Sequence, residues 1–413
     1  MEENITEALE APEILSQLVA RFFDIHQTIL GGGKYPFLVR YVGRLTTDSE
    51  RAYSSLSKDL EKYEITPLFL EEKGLQAIQL MPSAVRPKRS NAWINLIFFS
   101  LTLVSMLMAG ALYSYQGPEP DSTTGYFQLV WNNLASGIPF AVSLLAILLA
   151  HEFGHYLAAR FHKTEVTLPY FLPFPFSPFG TLGAFIQLRE PPRNKRVLLD
   201  IGIAGPLAGL IIAIPVLLIG LSLSEVSQIP TSLPEGQAFS LEGNSILYLL
   251  AKFLVHGQLL PAPASFGAVS PIVYWVRYLF TGLPTPIGGM DVILHPIAWA
   301  GWAGLLVTAL NLIPAGQLDG GHVLFSLFGK NARLVLPVTL VGLGVLGFFW
   351  QGWWLWVFLI LVLGSSHAQP LDQITKLDSA RKAIAIFGLI VFVLVFVPVP
   401  LQIIQSVSTA LAP

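Results

Sequence analysis

His151-Glu152-Phe153-Gly154-His155 sets two imidazoles four residues apart with a carboxylate between them. On a helix that spacing stacks both rings on one face, one turn apart. Two ring nitrogens so placed suit two ligands of a tetrahedral Zn²⁺, and Glu152 is left free to handle a proton. A five-residue pattern can arise by chance, so its surroundings carry the weight. The residues that lead into it, Gly137-Ile-Pro-Phe-Ala-Val-Ser-Leu-Leu-Ala-Ile-Leu-Leu-Ala150, hold no charge. Three ionisable groups on such a helix are costly in a bilayer unless paired or metal-bound, which marks them as functional.

A catalytic zinc needs a third protein ligand and an open position. The best candidate is Asp319, within Asn311-Leu-Ile-Pro-Ala-Gly-Gln-Leu-Asp-Gly-Gly-His322 at the inner end of a later apolar segment. Pro314, Gly316, Gly320 and Gly321 break the helix there, and exposed backbone at membrane depth is tolerated only where it lines a cavity or is buried in protein. The alternative for Asp319 is a helix N-cap at an interfacial turn.

The elements that must hold these residues are membrane helices. Hydrophobic residues make up 53% of the chain and charged residues 12%, about half the usual globular share. A formal charge of −2 offers no electrostatic case for nucleic acid, and the lack of cysteine excludes disulfides, thiolate-bound zinc and thiol nucleophiles. From Trp93 onward apolar segments recur at roughly 93–115, 137–159, 196–223, 292–314, 332–350, 353–366 and 382–404, the sixth being short enough to form a hairpin with the fifth. The interrupted segment 240–284 reads as two interfacial helices.

Basic residues give the orientation. Arg86, Lys88 and Arg89 precede the first segment; Arg160, His162 and Lys163 follow the second; Arg189, Arg193, Lys195 and Arg196 precede the third. Lys330 and Arg333 follow the fourth, and Lys376, Arg381 and Lys382 precede the last. The alternate loops are nearly free of positive charge: 116–136 has none, and 224–291 has only Lys252 and Arg277. The basic loops are therefore expected on the cytoplasmic or stromal side. HEFGH and the Asp319 segment then share one depth.

Residues 1–90 differ in kind and are expected to form a soluble α+β domain on that same side, with no cleavable signal peptide. Residues 37–44 alternate like a strand, Thr46–Glu50 starts a helix running to about Lys62, and 66–70 and 76–80 read as two more strands. Residues 1–30 are expected to be helical, with Gly31–Gly33 as a flexible break. No catalytic constellation occurs in this part. The remainder, 93–413, forms the membrane domain.

HEFGH in an apolar helix followed by Asn311-x-x-Pro314-x-x-x-Leu318-Asp319-Gly320-Gly321 resembles the site-2 protease family of intramembrane zinc metalloproteases, peptidase M50. Ala204-Gly205-Pro206-Leu-Ala-Gly209, where small residues allow close helix packing, matches a third element of that family. The resemblance covers roughly 93–380, and the soluble domain in front is similar to the cyanobacterial and chloroplast branch that includes the ethylene-dependent gravitropism-deficient proteins.

The resemblance implies a polytopic α-helical membrane protein of about six to eight spans, one zinc per chain held by His151, His155 and Asp319, and Glu152 as general base. It implies that Asn311 binds the substrate carbonyl or the oxyanion; the alternative is an ordinary asparagine in a helix interface. The Pro- and aromatic-rich segment 164–190 is expected to form a re-entrant β-hairpin from Val166–Leu172 and Gly183–Leu188, whose edge could pair with an unwound substrate. The expected substrates are membrane proteins with a transmembrane segment, in a bacterial inner membrane or a thylakoid-type membrane. Two other readings stay open: a catalytically silent scaffold of the same fold, and a zinc transporter. His322 and Asp200 are open between contacts around the metal and structural roles.

Overall fold

A computed structural model describes residues 12–32, 35–72, 74–82, 91–115, 117, 120, 122–231, 238–363 and 369–405. Arg86, Lys88 and Arg89, which enter the orientation argument, lie outside these residues, as does 1–11 of the segment expected to be helical.

The N-terminal part is a four-stranded antiparallel sheet with two helices. Helix α1 (Pro12–Ala20) leads into β1 (Phe23–Gly32), which pairs with β2 (Tyr35–Leu45). After α2 (Ser49–Leu60), capped by Asp48 accepting from the Arg51 N–H, come β3 (Ile65–Glu72) and β4 (Leu75–Pro82). The sheet order is β1-β2-β4-β3. The expected helix over 1–30 is corrected for residues 23–30, which are a strand. Phe23, Ile25, Thr28 and Ile29 supply aromatic and β-branched residues, and pairing with β2 outweighs local helix preference. Leu15, Val19, Val39, Tyr41, Leu56 and Phe69 form its core.

This sheet is continued by a segment from far along the chain. Phe69 and Asp372 form a parallel bridge, as do Asn194 and Asp372. The Phe69 N–H donates to Leu371 O (2.8 Å), the Gln373 N–H to Phe69 O (3.0 Å) and the Asp372 N–H to Arg193 O (2.7 Å). Asp372 is fully buried and accepts from the Ser49 hydroxyl (2.9 Å), the Ile374 and Thr375 N–H groups, and the Thr375 hydroxyl. Residues 371–375 thus clamp the N-terminal sheet to the membrane part. Arg196–Glu50 (2.6 Å) and Lys330 donating to Glu71 O (3.1 Å) join the same two bodies.

The remaining chain is mostly apolar helix. It comprises α3 (Ala92–Ser114), α4 (Thr123–Asn132), α5 (Ile138–Phe161), α6 (Lys195–Ser222), α7 (Ile246–His256), α8 (Pro271–Thr281), α9 (Pro296–Asn311), α10 (Asp319–Phe328), α11 (Val335–Leu346), α12 (Gly352–Leu363) and α13 (Ser379–Val395). Among the described residues four helical runs are long and apolar enough to cross a membrane: 92–114, 134–161, 195–222 and 319–346. The outward faces are greasy, with Trp93, Phe161, Ile211, Val338 and Phe358 all well exposed. An exterior of that kind is stable only against lipid. α6 packs on both α5 and α9, and the fully buried Trp302 donates its indole N–H to Gly243 O (2.8 Å).

Segment boundaries differ from the sequence reading in three places. The segment expected over 292–314 holds only α9, preceded by strand β9 (Met290–Ile293). The segment expected at 332–350 begins earlier, because α10 runs through a 3-10 turn into α11, and α11 pairs with α12 as a hairpin. The last segment stops at Val395, where Pro398 and Pro400 end the helix, and the chain continues as β10 (Leu401–Gln405). At the end opposite the N-terminal sheet, β7 (Glu225–Gln228) pairs with β9, and β8 (Ala238–Glu242) with β10. The 240–284 segment does contain two short helices, α7 and α8.

Candidate active site

α5 and α6 build one wall of the site. HEFGH lies in the second half of α5, where His151, Glu152 and His155 are all nearly inaccessible. Such burial of polar groups requires that a neighbouring helix come very close, and α6 does so because it presents glycine. A Cβ at Gly205 would stand 2.0 Å from His155 Nε2, and one at Gly209 3.2 Å from His151 Cβ. The small residues of Ala204–Gly209 therefore make room for the imidazoles themselves, beyond permitting helix contact. The His155 Nδ1–H donates to Ile201 O on α6 (2.7 Å), which fixes the ring and turns Nε2 toward the cluster.

The other wall comes from the chain reversal after α9. α9 ends at Asn311; Pro314 and Gly316, the latter at φ 56°, turn the chain back, and α10 starts at Asp319. The reversal folds tightly, since a Cβ at Gly320 would meet Leu312 O at 2.0 Å. Asn311 and Asp319 are thereby carried to the level of HEFGH.

The three expected ligands meet. His155 Nε2 is 3.2 Å from His151 Nε2, and Asp319 Oδ2 is 3.4 Å from His151 Nε2 and 3.3 Å from His155 Nε2. Donor atoms of a tetrahedral site with bonds of about 2.0–2.1 Å stand roughly 3.3–3.4 Å apart, so this triangle is one face of such a tetrahedron. It is the single metal-capable cluster of His and acidic groups among the described residues. Two neutral imidazoles and one carboxylate are the donor set that suits zinc with an open position.

Glu152 completes the arrangement without joining the triangle. Its Oε2 is buried and has no hydrogen-bond partner among the described residues. An orphaned carboxylate oxygen beside a metal-capable cluster is suited to accept a proton from a third molecule. The Asn311 amide nitrogen lies 3.3 Å from His151 Nε2, at the rim of the same cluster.

The two open residues take other places. Asp200 receives three contacts from the Arg381 guanidinium (2.7, 2.9 and 3.1 Å) and one from His162 Nε2 (2.9 Å), tying α5, α6 and α13 together below the site. His322 packs against Gly202, where an added Cβ would be 3.1 Å from its own. Sequence reasoning missed the Ile201 carbonyl altogether, because a backbone acceptor leaves no mark in residue type.

Comparison with known proteins adds the family. The pattern of Peptidase family M50 matches residues 139–346, half of the 413-residue chain. The chain belongs to peptidase family M50. That matched region contains HEFGH, Ala204–Gly209 and the Asn311–Gly321 reversal. Among curated relatives, "Probable zinc metalloprotease EGY1, chloroplastic" of Oryza sativa subsp. japonica is 29% identical over 395 residues, covering 87% of this chain and 62% of the relative. The Arabidopsis thaliana protein of the same name is 29% identical over 410 residues, covering 90% and 68%. "Probable zinc metalloprotease EGY2, chloroplastic" of Arabidopsis thaliana is 29% identical over 275 residues, covering 65% and 43%. The chain thus spans about three fifths of the rice relative's length. No solved structure matches.

Proposed function

We propose that this M50 member is an intramembrane zinc endopeptidase that hydrolyses peptide bonds within or beside transmembrane segments of other membrane proteins. One observation carries the reading: the 3.2–3.4 Å triangle of His151, His155 and Asp319, assembled from two segments about 165 residues apart at the depth of an apolar helix bundle. The relatives named zinc metalloproteases support it.

In this reading His151, His155 and Asp319 hold one zinc per chain. When bound there, zinc would supply an electrophile and the means to make water acidic near neutral pH. Glu152 takes the water proton as the scissile carbonyl is attacked, then returns it to the leaving amine. The Ile201 carbonyl keeps His155 aimed. Asn311 donates its amide N–H to the carbonyl oxygen as charge develops there, a role that a rim position permits.

A transmembrane peptide bond is locked in its own helix and must unwind before attack. Strands β5 (Tyr170–Pro173) and β6 (Thr181–Phe185) pair antiparallel, and a further bridge joins Val166 to Leu188. The hairpin runs along α3: the Asn95 amide donates to Leu168 O and Pro169 O, Phe99 meets Phe171 edge-on, and Gly180 lies against Ser105 and Met106. From Asn95 to Met106 is about 16 Å along a helix, half a bilayer core. That depth supports a re-entrant hairpin. β6 also touches α5, and its outer edge would receive an unwound substrate strand beside HEFGH.

The overall reading is a protein of six to eight spans, with residues 1–90 as a cytoplasmic- or stromal-side domain and 93–413 as the protease domain, in an inner or thylakoid-type membrane. The basic residues Arg196, Lys330 and Arg381, all at the end where the N-terminal sheet docks, support that orientation. A scaffold would not need a buried carboxylate oxygen such as Glu152 Oε2, left without a hydrogen-bond partner among the described residues, and a zinc transporter would need further metal-capable clusters along a path. The test is cleavage of a model transmembrane substrate by purified protein in liposomes. Wild type is expected to cut, and Glu152→Gln, loaded with equal zinc, to be slower by about 10²- to 10⁴-fold. Equal product from both would remove the protease reading.

A further inference from the structure

A second polar cluster lies away from the metal-capable site, at the end of the bundle opposite the N-terminal sheet. Glu242 on β8, Asp291 on β9 and Lys252 on α7 are buried together, Lys252 completely. Lys252 Nζ stands 3.8 Å from Glu242 Oε1 and 3.7 Å from Asp291 Oδ1, too far to hydrogen-bond either, and 4.4 Å from the Tyr248 ring centre. The Tyr248 hydroxyl donates to Glu242 Oε1 (2.8 Å), and the Asp291 carboxylate accepts from the Val292 N–H (2.8 Å). Two carboxylates thus share one ammonium, so one negative charge is in excess whenever both are ionised, where charge is expensive.

These carboxylates line a cavity of about 730 Å³, within the range of small-molecule sites and otherwise mainly apolar. Leu112, Ile229, Phe239 and Leu294 contribute to its walls, and Ser177 and Pro178 at the turn of the β5–β6 hairpin close one side. Trp299 lines it too. It does so through its ring carbons, because its indole N–H is shut off from water-sized space. An ion pair built only for stability would be one-to-one, with contacts near 2.8 Å and every donor used. Here two carboxylates face one ammonium, the ammonium contacts are long, and both acidic residues border empty space.

We propose that this cavity binds a small apolar molecule carrying one protonated amine, an arylalkylamine being the simplest form. The ammonium is taken up by Glu242 and Asp291, and the aromatic body fills the apolar walls. Burial first, and the facing Asp291 charge second, push the Glu242 carboxyl up, so an ionised Glu242 is stabilised by any cation that arrives. Contact with Ser177 and Pro178 would place such a ligand against the hairpin turn.

The experiment is calorimetric titration of the purified full chain, in an uncharged maltoside detergent, with 2-amino-1-phenylethanol. Matched probes are 1-phenylethane-1,2-diol, which lacks the cation, 2-phenylethylamine, which keeps the cation without the hydroxyl, and mandelate, which is anionic. The amino alcohol is expected to bind at least tenfold tighter than the diol, and mandelate not at all. Glu242→Gln is expected to abolish the preference for the amine, and in wild type 2-phenylethylamine is expected to bind about as tightly as the amino alcohol. Ser227→Trp, which fills the cavity from an edge strand, is expected to abolish binding while bound zinc is retained, showing an intact fold. Equal binding of amine and diol, or an amine preference that survives Glu242→Gln, would overturn the proposal. So would mass-spectrometric detection of a tightly held phospholipid in wild type that Ser227→Trp expels and the amino alcohol does not displace.

Discussion

The imidazoles of His151 and His155 are held by what stands behind them as much as by their spacing on α5. Gly205 leaves no room for a Cβ beside His155, and Gly209 only a little beside His151. Gly205→Ala is therefore expected to weaken zinc binding by roughly tenfold or more, through displacement of His155, whereas Gly209→Ala should cost less. Zinc content after dialysis against a graded chelator checks both, and wild-type retention by Gly205→Ala would show that the contact does not matter. Asp319→Ala and His151→Ala should each lose stoichiometric zinc by the same assay, while Glu152→Gln keeps it. The meeting of HEFGH and Asp319 was legible because a metal-capable cluster needs particular residue types at particular spacings. The Ile201 carbonyl and the contact between Gly205 and His155 were not, because each depends on which helix lies alongside.

Between elements, the least expected contact joins β3 to residues 371–375. Removing the Asp372 carboxylate leaves the Ser49 hydroxyl, the Thr375 hydroxyl and two backbone N–H groups without their acceptor. Each unsatisfied group costs about 1–3 kcal/mol. Asp372→Ala is thus expected to loosen the N-terminal sheet from the membrane part while zinc stays bound. Hydrogen exchange should speed up at the amides of Phe69, Gln373 and Ile374 and stay unchanged in α5; unaltered protection at Phe69 would contradict the clamp. No local pattern announces a pairing between residues some 300 positions apart. Residues 23–30 misled for a related reason: their apolar positions suit a helix or a half-buried strand, and the partner β2 decides. The short stretches at 246–256 and 271–281 were legible as helices, but Lys252 read as an interruption rather than as the centre of a buried cluster.

For the molecule as a whole, that cluster makes a pH dependence. Burial, then Asp291, push the Glu242 carboxyl from 4.5 up to about 7, while Lys252 and the Tyr248 hydroxyl pull the other way. Asp291 on β9, Lys252 and Tyr248 on α7, Tyr113 on α3 and Tyr278 on α8 are the charged or titratable groups that act on it. A folded state that holds its proton more tightly than the unfolded chain is favoured at low pH. Its stabilising share is full below about 4.5 and is lost as pH rises through about 7. The thermal midpoint is therefore expected to fall between pH 5 and 8, and Glu242→Gln to flatten that fall; an identical slope in the variant would place the dependence elsewhere. Membrane character could be read from composition and from the recurring apolar segments. The docking of the N-terminal sheet and the second cavity could not, because both arise only when distant segments meet.

The central claim is that this split site hydrolyses peptide bonds inside apolar segments, and the place and chemistry of the cut test it together. A model transmembrane substrate is incubated with the zinc-loaded protein in liposomes made in H₂¹⁸O, and the fragments are sequenced by mass spectrometry. The expected product is a new C-terminus within or beside the apolar segment carrying one ¹⁸O atom, formed by wild type and lost in Glu152→Gln. Zinc-replete wild type that yields no such fragment above Glu152→Gln, across a panel of transmembrane sequences, would contradict the claim.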